Sequence, residues 1–340
     1  MEETGKQIRL TAGEMAQLWI QYLNDSSSLC VLTYLLEKAE DEEIKPVIQF
    51  ALELSKSHIE KVTAILTEEK NVIPYGFSIK EDVDLTAPRL FSDSFALNFI
   101  NQMSKVGLTS YAGSVAASVR DDIKTYYMDC LTETMQLYKK STDLLLSKGL
   151  FIRSPSLPNL EKVEFVKKQW FMLDVFGEKR PLVAAEVDHL FANLQRNALG
   201  VATLTGFSQV VQDKDVKQFF LKGLEVGNKH IRLFRGKLEE SKLPAPMGWD
   251  SEITNSTAYT FSDKLLMFFT SGLIALSIGY YGTAVGLSPR GDIAVMYNRL
   301  SLEIQLFSED GANIMIKKGW LEQPPMASDR DELIRKNNHL

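Results

Sequence analysis

The feature that most limits how this chain can fold is that its 340 residues carry one helical pattern twice. Shifting the numbering by 172 places Glu14 on Glu186, Leu18 on Leu190, Asp41 on Asp213, His58 on His230 and Gly76 on Gly248. After a two-residue slip the shift becomes 170. It then places Phe91-Ser92-Asp93 on Phe261-Ser262-Asp263, Tyr111 on Tyr281, Arg120 on Arg290, Glu133 on Glu303 and Gly149 on Gly319. Matches in order along a whole unit mean duplication, and the length suits two domains better than one core.

Each copy reads as four long helices. Thr11-Ala-Gly-Glu14 is a capping box that opens the first. Asp41 caps the second, with Glu42 and Glu43 in its first turn, and the inward stripe is Ile44, Ile48, Ala51, Ser55, His58, Val62 and Ile65. Ser92 and Ser262 cap the third helices, and Ser288-Pro289 places a proline at the first position of the last one. Lys148-Gly149 and Lys318-Gly319 end the fourth helices with a glycine just past the last turn. Short links make helices one and two, and three and four, antiparallel. Between two and three lie the long Pro- and Gly-containing segments 71–90 and 242–261. The fold expected is all-α: two tandem ferritin-like four-helix bundles, each with one long crossover between helices 2 and 3. The expected boundaries are a first bundle over 1–155, a linker over 156–181, a second bundle over 182–325 and a polar tail over 326–340.

Composition removes several function classes. A net charge of −6 without any Lys/Arg run argues against nucleic-acid binding. The start, Met-Glu-Glu-Thr-Gly-Lys, has no apolar core of a secretory signal. Cys30 and Cys130 fall at different positions of the repeat, so both are expected to be small core residues in a reducing cytoplasm. Residues 265–287 are uncharged and long enough to span a membrane. Their counterpart, 95–117, contains Asn98, Asn101, Gln102 and Lys105. Two copies of one fold should not place one helix in lipid and its twin in water, so a central buried helix is expected and no transmembrane segment.

A bundle of this type raises the question of a metal. Di-iron chemistry needs inward carboxylates from all four helices, including a Glu-x-x-His on two of them. Neither copy has that motif. At about 1.5 Å per residue, His58 on helix two and Glu133 on helix four both lie about 22–24 Å below their helix tops. His230 and Glu303 repeat this placement. At that depth the other helices offer Leu23, Asn24 and Leu108, or Leu194, Gln195 and Ile278, with no carboxylate among them. Each His–Glu pair is therefore read as a buried hydrogen-bonded pair. Metal binding by His58 and Glu133, or His230 and Glu303, with iron, manganese or zinc, is the alternative, and no cofactor is the expectation. Arg120 with Asp122, and Arg290 with Asp292, read as structural pairs at a helix corner. Tyr111 and Tyr281, with Gly113 and Gly282, mark a possible cavity for a small ligand.

Phe261-Ser-Asp-Lys-Leu-Leu-Met-Phe268, Tyr281-Gly-Thr-Ala, Ser288-Pro-Arg-Gly-Asp292, Glu309-Asp-Gly-Ala312 and Gly319-Trp-Leu-Glu-Gln-Pro-Pro325 followed by Asp329-Arg330 are distinctive. They resemble an uncharacterised tandem ferritin-like family of endospore-forming Firmicutes, distantly similar to spore coat protein F. Where that family often has a histidine directly after Met-Phe in helix three, this chain has Phe269. The resemblance implies a non-catalytic structural or interaction protein with vestigial metal sites, associated with sporulation or the spore coat. A metal-binding protein or oxidoreductase, and a small-ligand binder, are the alternatives. The expected partners are another protein or a second copy.

Overall fold

The computed structural model describes residues 8–167, 169–173 and 179–337. Parts of the expected linker (168 and 174–178) and the end of the expected tail (338–340, with His339) lie outside the described residues. Eight long helices form two four-helix bundles. The first comprises α1 (Ala12–Lys38), α2 (Lys45–Glu68), α3 (Asp93–Ala117) and α4 (Asp121–Ser147). The second comprises α5 (Ala184–Val210), α6 (Lys214–Glu240), α7 (Asp263–Leu287) and α8 (Gly291–Lys317). Crossovers over 69–92 and 241–262 separate the second and third helix of each bundle, as the repeat predicts. The polar tail contains a further helix, Arg330–Asn337.

Capping explains most of the boundaries. Thr11 and Glu14 form the reciprocal box at α1, and the hydroxyls of Ser92 and Ser262 accept from Phe95 N and Leu265 N. Gly149 and Gly319 take positive φ (+68° and +69°) just past α4 and α8, where a side chain would be strained. Two expected starts move. Asp41 caps a turn, accepting from Glu43 N and Ile44 N, and α2 begins only at Lys45. Pro46 explains the delay: it has no N–H with which to bond back to Glu42. Pro289 lies before the cap of α8, which is Arg290, rather than at the first helical position. The Arg290 N–H is held by Glu186 instead, at 2.8 Å, and this fixes where the helix starts.

The two bundles share a core. The largest apolar cluster crosses between them and includes Tyr34, Phe91, Phe95 and Leu97 of the first and Phe207, Phe220, Phe261 and Leu265 of the second. Smaller clusters fill the far end of each bundle. The crossovers exchange backbone hydrogen bonds with twofold pseudosymmetry. Asp84 N donates to Thr260 O and Thr254 N to Leu90 O, both at 2.9 Å. Ser262 N donates to Asp82 O and Ser92 N to Glu252 O, again at 2.9 Å. Each contact recurs with the roles of the repeats swapped, the pattern of an isologous dimer fused into one chain.

The pseudosymmetry breaks at one packing position. Tyr34 of the first repeat sets its ring edge-on to Phe261, 5.0 Å between centroids, while its repeat counterpart is Gly206. Phe91, the counterpart of Phe261, moves into the space: a Cβ on Gly206 would lie 2.5 Å from its Cζ. Gly206→Val is therefore expected to overpack this joint and cost about 1–3 kcal/mol. Thermal denaturation checks it, and an unchanged midpoint would mean that Phe91 can turn aside freely.

One expectation about α7 needs correction. It is the single helix among the described residues that is long and apolar enough to cross a membrane, with mean hydropathy 1.5 over its best window. Only 33% of that window is buried, so it is not a wholly enclosed central helix. Most of its exposed positions are small, Gly272, Ala275, Gly279, Gly282 and Gly286, with Thr283 and, at the end of the helix, the half-exposed Leu287 beside them. The inward face, from Leu265 and Leu266 to Ile274 and Tyr281, does the packing.

Candidate functional site

The stripe on α2 turns His58 inward, between Ser55 and Val62, and the matching stripe on α6 does the same for His230. Helix α4 brings Glu133 to His58, with 3.1 Å between Nε2 and Oε2. Helix α8 brings Glu303 to His230, with 3.3 Å between the same atoms. The histidines are buried and the glutamates reach the surface, their side chains 30% and 28% exposed. A pair of this kind crosses the bundle wall from core to solvent.

Each centre has a third member on the first helix that the depth argument overlooked. In the first repeat it is Asp25, whose Oδ2 lies 3.4 Å from His58 Nδ1 without the geometry of a hydrogen bond. In the second repeat its counterpart is Asn197, and that one exchange changes the chemistry. Asn197 Nδ2 donates to the Tyr281 hydroxyl at 2.9 Å. The hydroxyl oxygen lies 2.9 Å from His230 Nδ1 and 3.2 Å from Asn197 Oδ1, and His230 Nε2 lies 3.3 Å from Glu303 Oε2. Lys229 Nζ closes the chain on both oxygens of Glu303, at 2.7 and 2.9 Å. Burial holds His230 below its usual range despite the pull of Glu303, and in the neutral ring Nδ1 can accept from Tyr281 while Nε2–H donates to Glu303.

The first centre has opposite electrostatics. Burial would lower His58 too, but the Asp25 carboxylate and the Cys130 sulfur beside it more than reverse this and hold it well above the usual imidazole range. Both neighbours favour the protonated ring of His58 within a buried site. Its surroundings are less complete: Tyr111 OH stands 3.4 Å from Nδ1, and Gln21 Nε2 reaches Cys130 Sγ only at 3.8 Å. Gln21 Oε1, Asp25 Oδ2, Tyr126 OH and Tyr127 OH are buried without a hydrogen-bond partner in the protein. The polar groups of this core are thus less fully paired within the protein than those around His230.

Neither centre fits a metal ion. Asp25 and Glu133 approach opposite nitrogens of one ring, so His58 and both carboxylates do not converge on a point. In the second centre an ammonium already holds the carboxylate that a cation would need. Among the described residues no group of three or more His, Cys, Asp or Glu side chains is placed to hold a metal.

The arginine–aspartate pairs stand at the starts of α4 and α8. Arg120 Nε and Nη2 hold Asp122 at 3.1 and 2.7 Å, and Nη1 reaches Glu69 and the carbonyl of Ile8. Arg290 holds Asp292 likewise and reaches Glu240 and the carbonyl of Arg180. Each arginine thereby ties the start of the fourth helix to the end of the second and to the chain entering the first.

Of the tyrosines expected at a cavity, Tyr281 lines one in the second repeat and Tyr111 packs against His58, 5.7 Å between ring centroids. Gly113 and Gly282 face outward with open space around them, because they lie two residues and one residue beyond the inward tyrosines, about 200° and about 100° around the helix.

Comparison with known proteins recovers the two repeats. A crystal structure from Bacillus halodurans C-125, described as a "putative spore coat protein", aligns with a TM-score of 0.39 at 22% identity, covering 44% of this chain and 98% of that one. No curated protein matches the sequence. One family model matches both repeats, over residues 1–163 and 170–333, and the chain belongs to that family, described as Protein of unknown function (DUF3231).

Proposed function

We propose that the protein is a non-catalytic structural or interaction protein whose two bundle centres are polar packing cores. The observation that carries this reading is the closed run Asn197–Tyr281–His230–Glu303–Lys229. Both ring nitrogens of His230 and both carboxylate oxygens of Glu303 are engaged within it. A general base needs a free lone pair facing a substrate, and both ring nitrogens of His230 are engaged. The first centre offers no better route, since a protonated His58 has no lone pair to give. Association with the spore is the finer part of the proposal and is supported by the motifs of α7, α8 and the segment after them.

Metal content tests the first part. Untagged protein expressed in iron-, manganese- and zinc-supplemented medium is expected to carry far less than one metal per chain by mass spectrometry. Near-stoichiometric metal that disappears in the His58→Ala/His230→Ala double variant would sink the proposal. Fractionation of sporulating cells tests the second part, and protein found only in vegetative cytosol would remove it.

A further inference from the structure

Helix α8 carries an apolar stripe on the side that its own bundle leaves uncovered. Val295, Leu302 and Leu306 are 58%, 59% and 61% exposed, although the opposite face of the helix is packed into the bundle. Together with Arg299, Glu309 and Asn313, also exposed, they recur at alternating steps of four and three residues from 295 to 313. That is the spacing of a coiled-coil seam, about 27 Å long on one helix face. The twin helix does not repeat it. At the positions of Val295, Leu302 and Leu306, α4 carries Thr125, Thr132 and Gln136. It exposes Met128 and Met135 instead, about 60° round the axis from that line.

The charges on the stripe say what fits it. Among the described residues neither Arg299 nor Glu309 forms an ion pair. Laid antiparallel on itself about a twofold axis at the level of Ile304, the stripe sets Leu302 against the second copy's Leu306 and Arg299 against its Glu309. Each contact occurs twice, as an isologous interface requires, and an ion pair closes the two leucine layers at either end. Sliding one helix by a heptad puts Leu302 on Arg299 or on Asn313, so one register is selected. The acidic residues beside the seam, Glu303 and Asp310, are already paired with Lys229 and Lys222 of their own chain. The partner helix is selected too. Against α4 of another copy in the same register, Arg299 meets Lys139 and Glu309 meets Asp129, like on like. This disfavours a head-to-tail contact that would propagate and favours a closed pair.

We propose that the protein forms a twofold dimer in which the α8 stripe of one copy is covered by the antiparallel α8 of a second. Burial of Leu302 and Leu306 from both chains drives the association, and the Arg299–Glu309 pairs fix its direction. One helix from each copy makes a small interface, so monomer and dimer exchange. The dimer is independent of whether the histidine centres are inert.

The test is sedimentation velocity of the full chain over about 1–300 µM, where a monomer giving way to a dimer is expected. Leu302→Glu, at an exposed position, should weaken the dimer about a hundredfold or more. Arg299→Glu, which opposes like charges twice, should weaken it at least about tenfold. The double variant Arg299→Glu/Glu309→Arg restores the opposition of charges and should dimerise as the wild type does. Thr132→Glu on α4, the control, should leave dimerisation unchanged, and circular dichroism checks that every variant folds. A wild-type chain that stays monomeric throughout overturns the proposal, as does a dimer indifferent to Leu302→Glu. Loss in Arg299→Glu that the double variant does not recover overturns the antiparallel register.

Discussion

Replacing Glu186 by alanine is expected to destabilise the protein by about 3–5 kcal/mol, the largest loss from any single helix-start residue. Glu186 is fully buried and each oxygen accepts twice. Oε2 takes Val183 N at 2.9 Å and Arg180 Nη1 at 2.8 Å. Oε1 takes Arg290 N and Arg180 Nη2, both at 2.8 Å. One carboxylate therefore joins the starts of α5 and α8 and neutralises a guanidinium whose side chain is 4% exposed. Its removal leaves two backbone N–H groups and a buried cation without partners. The first repeat supplies the control. Glu14 bonds Thr11 N and Oγ1, Val119 N and Arg120 N, at 2.8–2.9 Å, with no buried arginine on it. Glu14→Ala should cost about 1–3 kcal/mol. Denaturant unfolding of both variants decides the matter, and equal losses would show that the Arg180 charge carries none of the difference.

These clamps were partly visible in the sequence, and the limits of that view are physical. The Thr11–Glu14 box is a local pattern, and the 172-residue shift exposes Glu186 as its counterpart although Val183 cannot cap with a side chain. That both glutamates reach across to the fourth helix has no local signature. The His–Glu pairs were legible because helix rise converts sequence position to depth. Asp25 was missed because depth does not give rotation: Asn24 and Asp25 share a layer but differ by about 100° around the axis. A signal was available in the i, i+4 polar pairs Gln21/Asp25 and Asn193/Asn197, which recur at the same shift on helices otherwise apolar inside. The pairing of the two crossovers was not legible at all, since backbone hydrogen bonds between irregular segments impose almost no residue pattern. The cavity of the second repeat is a similar case. Its lining comes from all four helices of one repeat and from α3 of the other, so no local pattern marks it.

The exchange of Asp25 for Asn197 predicts that the two core histidines respond to pH in opposite senses. His58, raised in the folded state, contributes stability that is fully present below the unfolded imidazole value of about 6.5 and is lost as pH rises through its folded value. His230, lowered in the folded state, contributes stability that is present above about 6.5 and is lost as pH falls through its folded value. Asp25→Asn gives the first centre the composition of the second. His58 should then lose its charge partner, burial should dominate, and its titration should fall below the ordinary value. The loss of stability with rising pH should disappear with it, while the loss at low pH should grow. The overall cost of Asp25→Asn should be small, because a buried charged core is replaced by a neutral one. His58→Leu instead strands the Asp25 carboxylate and should cost about 3–5 kcal/mol. Imidazole chemical shifts followed between about pH 5 and 9 separate the two histidines directly. If both titrate together near 6.5, or if His58 is unmoved by Asp25→Asn, then Asp25 does not set the charge of the first core.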